Sequence, residues 1–343
     1  MKALRYLGPK QLEVTDAPKP EPKDDEVLIR VRAVGICGSD VHGWLGITGR
    51  RLPGVIMGHE LSGTVEAVGE NVKSFQVGDA VVPQPIDSCG TCEFCKAGRN
   101  QMCAQRTLLG VMDVNGGMAE FVPVKENMLY HKPENLSFET AALIEPLTVA
   151  YTAVHKLSDY RDKNVLVIGG GTIGLCILKM LKDMQPKRII VSDVSEERRN
   201  TAIEMGADAV IDPSGDYVQQ LTKITGGRLA DITIEAVGVE AAVNQSIRAL
   251  HPTGTSIWVG VSQQEMTINM HDVVCKDRTI IGSMNYSHQD FGETIKMLQE
   301  GRIENPEQLI SDRISLEEAP DMFADLHDNP DLHKKALILF PEQ

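Results

Sequence analysis

Apolar and polar positions along this chain follow one pattern in the first part and a different one in the second. Through residue 145 the apolar residues come in short runs broken by Gly and Pro. Residues 26–34 alternate partially and are apolar on both sides. Residues 61–68 and 75–82 continue the pattern, punctuated by Gly69 and the Gly78-Asp79 turn. Short strands at this spacing predict a compact β-barrel-like domain. Near Asn164 the pattern changes. Residues 164–168 are the kind of apolar run that a parallel strand buried on both faces requires. A Gly-rich turn follows, and residues 175–184 read as a helix. Further strands are predicted at 188–193, 209–211, 232–238 and 256–260, separated by helices from Ser195 onward, at 216–224 and at 240–250. Ser195 and Asp216 suit helix N-caps, and Glu196-Glu197 suit the positive end of the helix dipole. Strand–helix alternation of this length predicts a doubly wound parallel sheet. The tail adds a helix at 291–300 and a strand at 336–340, expected to pack back on the first domain. The expected organisation is α/β: a first domain at 1–150, a second at 151–285, and a C-terminal segment at 286–343 that returns to the first. The strand at 256–261 is expected to be a sheet edge that joins copies of the chain into a homodimer or homotetramer.

Composition narrows the function classes. The 343 residues suffice for two domains, and 42% hydrophobic with 24% charged residues is a globular balance. With 48 acidic against 34 basic residues the net charge is −14. That argues against phosphate contacts and against an anionic membrane surface, so neither nucleic acid nor membrane is an expected partner. No apolar run reaches the roughly 18 residues of a spanning helix. After Met1-Lys2-Ala3-Leu4-Arg5 the N-terminus turns polar and Pro-rich, without the apolar core of a signal peptide. A cytoplasmic protein is expected.

Four of the seven cysteines lie within one short stretch: Cys89, Cys92, Cys95 and Cys103. In an unexported chain with an odd cysteine count, such a cluster reads as a metal site rather than a disulfide framework. Four thiolates close a tetrahedral zinc shell with no open position, which stabilises structure and does no chemistry. An iron–sulfur cluster uses the same ligand set. Cys176 and Cys275 are expected in the core.

The turn Gly169-Gly170-Gly171-Thr172-Ile173-Gly174 follows the buried strand and opens a helix, which is the context a dinucleotide site demands. Gly169 permits the tight turn, Gly171 lets the backbone approach a pyrophosphate, and Gly174 lets helix and strand pack closely. Thr172 and Ile173 then present the helix N-terminus to the anion. Asp193, at the end of the next strand, is placed to accept hydrogen bonds from ribose hydroxyls and to repel a 2′-phosphate, which favours NAD over NADP. Arg198 and Arg199 are the basic residues that keep NADP open. Arg198 is expected beside the nucleotide, as are the strand-end pairs Val237-Gly238 and Val259-Gly260. No Lys-Ser or Lys-Thr follows the glycines, so a P-loop is excluded.

A second metal vocabulary lies outside the thiol cluster. Gly35-Ile36-Cys37-Gly38-Ser39-Asp40-Val41-His42 follows one strand, Gly58-His59-Glu60 follows another apolar stretch, and Glu145-Pro146-Leu147 precedes the change of pattern. With the cysteine cluster and the Gly169 turn in the same order, the chain resembles the zinc-dependent medium-chain dehydrogenases over essentially its whole length. The resemblance implies a GroES-like β-barrel catalytic domain joined to a Rossmann sheet. It further implies a catalytic zinc on Cys37 and His59, with Glu60 and Glu145 as ligand or exchange partner, so two zincs per chain. Glu145 stands where alcohol dehydrogenases of the family carry Cys. Glu-Pro-Leu together with Gly-His-Glu is similar to the polyol, butanediol and threonine dehydrogenase branch. Metal that lowers the pKa of bound oxygen makes a hydroxyl acidic, and Ser39 and His42 are expected to relay the released proton to water.

The expected reaction is hydride transfer from a secondary alcohol of a polyol, polyol phosphate or vicinal diol to NAD, giving a ketone. Asn285-Tyr286 falls near where sorbitol dehydrogenases carry an Arg-Tyr pair, and the Met-Asn-Tyr text is similar to that of hexitol-phosphate dehydrogenases. Trp44 and Arg50-Arg51 are placed to wall or charge the mouth of the substrate cleft, with an ordinary surface role for the arginines as the alternative. Oxidation of an amino alcohol such as threonine is the alternative within the enzyme class. A non-catalytic nucleotide-binding relative is the alternative outside it, and would need none of Cys37, Ser39, His59 or Glu60.

Overall fold

The computed structural model describes residues 1–341. By internal contact the chain divides into two units: Met1–Glu145 with Tyr286–Gly301 and Pro306–Gln343, and Pro146–Asn285 with Arg302–Asn305.

The first unit opens with an antiparallel hairpin, β1 (Lys2–Gly8) and β2 (Gln11–Asp16). β3 (Glu26–Gly35) is its spine: Val27, Ile29, Val31 and Val34 are almost fully buried. Burying a β-branched side chain is worth about 1.5–3 kcal/mol, so this strand contributes much of the core. α1 (Gly38–Trp44) starts where β3 ends, and β4 (Glu60–Val68) returns antiparallel to β3 with Gly35 opposite Glu60. β5 (Ala80–Pro83) follows. Residues 75–79 of the predicted strand at 75–82 are not in it, because the Gly78-Asp79 turn comes first. β6 (Ile86–Asp87) and β7 (Thr107–Leu108) pair across a loop that holds the short α2 (Glu93–Lys96). β8 (Phe121–Lys125) pairs with β3, β9 (Leu129–His131) pairs with β5, and the short α3 (Phe138–Ala142) leads into α4 (Ile144–Val154).

The second unit is a six-stranded parallel sheet. Its elements alternate as the pattern predicts: β10 (Asn164–Ile168), α5 (Thr172–Met184), β11 (Arg188–Ser192), α6 (Glu196–Glu204), β12 (Ala209–Ile211), α7 (Tyr217–Thr225), β13 (Ala230–Glu235), α8 (Glu240–Arg248) and β14 (Leu250–Trp258). Ser195 and Asp216 cap α6 and α7 through their side chains. The short α9 (Met270–Val274) and a further strand, β15 (Thr279–Gly282), complete it. The strand order is β12-β11-β10-β13-β14-β15. β14 therefore lies inside the sheet and is not the edge expected at 256–261. The edge on that side is β15, a strand of four residues too short and too polar at Thr279 and Gly282 to stand out in the sequence. Cys275, expected in the core, is exposed just past α9, whereas Cys176 is buried in α5.

The chain then re-enters the first unit through α10 (His288–Gln299), β16 (Ile310–Ile314), α11 (Ala319–Asp328) and β17 (Lys335–Leu339). β17 pairs antiparallel with β3, Leu337 facing Gly35. β3 is thus flanked by β4 on one side and by the C-terminal strand on the other.

Candidate active site

The ligand-type residues of the first unit meet because β3 and β4 pair. Cys37 lies two residues beyond Gly35, and His59 and Glu60 lie at the facing end of β4. One ligand atom from each of Cys37, His59 and Glu60 falls within 4.8 Å of the others. Cys37 is the N-cap of α1, with its sulfur accepting from the Ser39 N–H at 3.4 Å. The cap is reciprocal, since Asp40 Oδ2 accepts from the Cys37 N–H at 3.2 Å. Asp40 is fully buried, and its other oxygen sits 2.8 Å from Arg51 Nη2 and 3.7 Å from His59 Nδ1. Asp40 therefore braces Cys37 and neighbours His59, the kind of outer support that orients metal ligands.

Charge balance tests whether a cation fits here. Burial on its own lowers the proton affinity of His59, but the Asp40 carboxylate, Cys37 and Glu145 outweigh it and raise its pKa to about 10. Burial, with Glu60 close by, pushes Glu145 up to about 7. His59 Nδ1 is buried without a hydrogen-bond partner. A buried imidazole that attracts positive charge, beside a thiol and two carboxyl groups, is a donor set that fits a divalent zinc. Glu145 stands outside the closest set of three, with Oε1 accepting from the Tyr286 hydroxyl at 2.5 Å. Both groups are buried. Ser39 and His42 are exposed on α1. The expected mouth residues behave differently. Trp44 is buried edge-on to Phe323, Arg51 is the buried partner of Asp40, and only Arg50 is exposed.

The second cluster gathers all four predicted sulfurs within 4.8 Å. Cys89 to Cys95 is 3.9 Å and Cys92 to Cys95 is 3.5 Å. A tetrahedron with metal–sulfur bonds of about 2.3 Å has edges of about 3.8 Å, so the spacing fits zinc. The Cys92 N–H and the Thr91 hydroxyl both point at Cys89 Sγ. Hydrogen bonds from Thr91 pull the Cys89 thiol down to about 6. At Cys92 the Cys95 N–H acts downward, yet partial desolvation and three sulfur neighbours push the thiol up to about 11. Cys89 drawn down beside Cys92 pushed up marks neighbouring sulfurs that a cation would let ionise together.

In the second unit the Gly-rich turn has the geometry its glycines predict. Gly169 adopts φ +99°, and a Cβ on Gly174 would lie 1.8 Å from the Gly169 carbonyl oxygen. A Cβ on Gly171 would meet nothing within 4 Å, so that side of the backbone is open. Thr172 and Ile173 form the first turn of α5. Asp193 Oδ2 accepts from the Gly170 N–H at 2.7 Å and Oδ1 from the Ser195 N–H at 2.9 Å, while Arg198 Nη1 lies 3.9 Å from Oδ2. Gly238 and Gly260 approach so closely that a Cβ on Gly260 would lie 2.1 Å from the Gly238 nitrogen. Val237 abuts Gly169, and Val259 follows β14. These residues converge at the carboxyl ends of adjoining parallel strands, where open α/β sheets bind ligands. One contributor was not singled out in the sequence. Glu235, fully buried at the end of β13, accepts from the Val237 and Gly238 N–H groups at 2.7 Å each and holds that turn. A lone acid ending a strand carries no signal of this.

Two family models match the chain: an alcohol dehydrogenase GroES-like domain over residues 23–134 and a zinc-binding dehydrogenase over residues 172–300. Sorbitol dehydrogenase of Ovis aries is 35% identical over 327 residues, covering 94% of this chain and 92% of that protein. The crystal structure of galactitol-1-phosphate dehydrogenase from Escherichia coli superposes with a TM-score of 0.92 at 29% identity, over 99% of this chain and 100% of that one. An alcohol dehydrogenase from E. coli CFT073, complexed with NADH, does so with a TM-score of 0.92 at 29% identity, over 99% of both chains.

Proposed function

This chain belongs to the zinc-dependent medium-chain dehydrogenases, in their polyol dehydrogenase branch, and from that premise we propose that it oxidises a secondary alcohol of a polyol, polyol phosphate or vicinal diol to the ketone with NAD+. The reaction is reversible. The observation that carries the reading is the convergence of Cys37, His59 and Glu60 within 4.8 Å on paired strands. When bound, zinc supplies the Lewis acid that makes a substrate hydroxyl acidic, and NAD+ supplies the hydride acceptor. Cys37 and His59 hold the metal, with Glu60 or Glu145 as the carboxylate beside it, and Asp40 braces Cys37. Tyr286 donates to one oxygen of Glu145 and so fixes that carboxyl group. Ser39 and His42 stand three apart on α1 and so share a helix face, where the Ser39 hydroxyl passes the substrate proton to the His42 imidazole and on to water. Cys89, Cys92, Cys95 and Cys103 hold a second zinc that has no open position and takes no part in the chemistry.

Gly169, Gly171, Thr172, Ile173 and Gly174 cradle the pyrophosphate, and Asp193 takes the adenosine ribose. Arg198, Val237, Gly238, Val259 and Gly260 border the same nucleotide. Asp193→Ala is expected to lower the ratio of kcat/KM with NAD+ to that with NADP+ by about tenfold or more. Comparing both cofactors on one variant cancels any folding defect. An unchanged ratio would remove Asp193 from the ribose. A cytoplasmic homodimer or homotetramer fits the acidic balance and the open edge at β15, and Val261, Met270 and Val274 are exposed in the chain leading to that strand. Among the described residues no helix is long and apolar enough to cross a membrane.

Substrate choice is tested by a panel read as NADH absorbance: sorbitol, xylitol, galactitol 1-phosphate, 2R,3R-butanediol and L-threonine, each with and without chelator. NADH from a polyol or diol, lost with chelator and restored by zinc, is the expected outcome. Zinc-dependent NADH from threonine alone would select the amino-alcohol alternative. No zinc-dependent NADH from any member would contradict the proposal.

A further inference from the structure

Glu60 is not free to choose its partners. Both its oxygens accept from one ammonium group, Lys335 Nζ, at 2.8 and 2.7 Å, and that nitrogen also donates to the Ile36 carbonyl at 3.1 Å. Both side chains are almost fully buried. The pair forms across β3. Glu60 stands on β4 opposite Gly35, and Leu337 of β17 stands opposite the same Gly35 from the other side. Lys335, two residues before Leu337, shares that strand face and reaches over the glycine. Any side chain at Gly35 would fill the gap, since its Cβ would lie 2.2 Å from Glu60 Oε2. A lysine from the C-terminal strand, 275 residues away in sequence, is thus seated on a carboxylate that also lies among the metal-ligand atoms.

A buried lysine bound to a carboxylate competes with metal for the same lone pairs and repels a nearby divalent cation. We infer that Lys335, acting across Gly35, is a positioning residue that holds back Glu60 from full coordination and keeps the catalytic zinc more weakly held and more electron-poor. The inference rests on the zinc site proposed above.

The test measures metal directly. Zinc release to a chromophoric chelator is followed for the parent and for Lys335→Met, and the cobalt-substituted proteins are compared by their visible d–d absorption. Lys335→Met removes a positive charge beside the site and is expected to hold the catalytic metal about tenfold or more tightly, with a changed cobalt spectrum, because Glu60 is released onto the metal. Lys335→Arg, which keeps the cation, is expected to track the parent. Gly35→Ala, which crowds the carboxylate out of its seat while leaving Lys335 in place, is expected to shift the cobalt spectrum in the same direction as Lys335→Met. A general packing defect would loosen the metal, the opposite of the expected result. If Lys335→Met releases metal at the parent rate or faster, or if its cobalt spectrum superposes on that of the parent, the inference is overturned. A parent chain that takes up no metal beyond the four-cysteine site would instead overturn the catalytic-zinc reading on which it rests.

Discussion

Cys37→Ser is expected to reduce kcat/KM for polyol oxidation by about 10⁴-fold, because a Lewis acid worth on the order of 5 kcal/mol is lost at 1.36 kcal/mol per tenfold. The position makes this a clean substitution. Cys37 caps α1, and Ser is among the best N-cap residues, so the helix start and the reciprocal bond with Asp40 survive. What disappears is the thiolate. A neutral hydroxyl in its place does not balance zinc, and metal content is expected to fall from two to one per chain. Far-ultraviolet circular dichroism and NAD+ binding should match the parent. A variant with one zinc and activity within tenfold of the parent would show that the Cys37–His59 centre is not where the chemistry occurs.

The second large effect falls on stability. Cys103 is fully buried, while the other three sulfurs of its cluster are partly exposed. Cys103→Ala is expected to leave three thiols without the fourth edge of the tetrahedron and to lose that zinc. In the part of the segment between β6 and β7 that carries Cys89, Cys92 and Cys95, α2 is four residues long and buries none of them. Unfolding free energy is expected to fall by about 3 kcal/mol or more, in line with loss of a structural metal. Chemical denaturation reads the loss, and limited proteolysis is expected to cut first between residues 89 and 103. The same loop reaches α10, since Asn100 Oδ1 accepts from the His288 N–H at 2.9 Å, next to the Tyr286 that holds Glu145. Stability and proteolysis equal to the parent would mean that the four sulfurs hold no structural zinc.

What the sequence disclosed depended on how far apart the interacting residues lie. The four clustered cysteines and the Gly169–Gly174 turn act within a few residues of one another, so spacing alone carries the geometry. Cys37 and His59 are joined by strand pairing, and only resemblance to a family placed them together. Beyond that range the text was silent or misleading. Lys335, just ahead of the apolar run at 336–340, carried no signal in the sequence, yet it is buried against Glu60. Arg51 and Trp44 read as cleft residues, but Asp40 takes the first into the interior and Phe323 the second. Such pairings are settled by tertiary packing, which a local pattern does not encode. The sheet edge was misplaced for a related reason, because β15 announces itself only by pairing with β14.

The most direct test of the central claim follows one atom. A polyol that proves to be a substrate, deuterated at the carbon bearing the oxidised hydroxyl, is turned over with NAD+ by enzyme carrying both zincs, and the reduced nucleotide is examined by mass spectrometry. One deuterium per NADH is expected, with none formed by enzyme stripped of metal at the Cys37–His59 centre. Unlabelled NADH would show that hydride does not pass from that carbon to the nucleotide, and labelled NADH produced equally well by the stripped enzyme would show that the Cys37–His59 metal is not needed for the transfer.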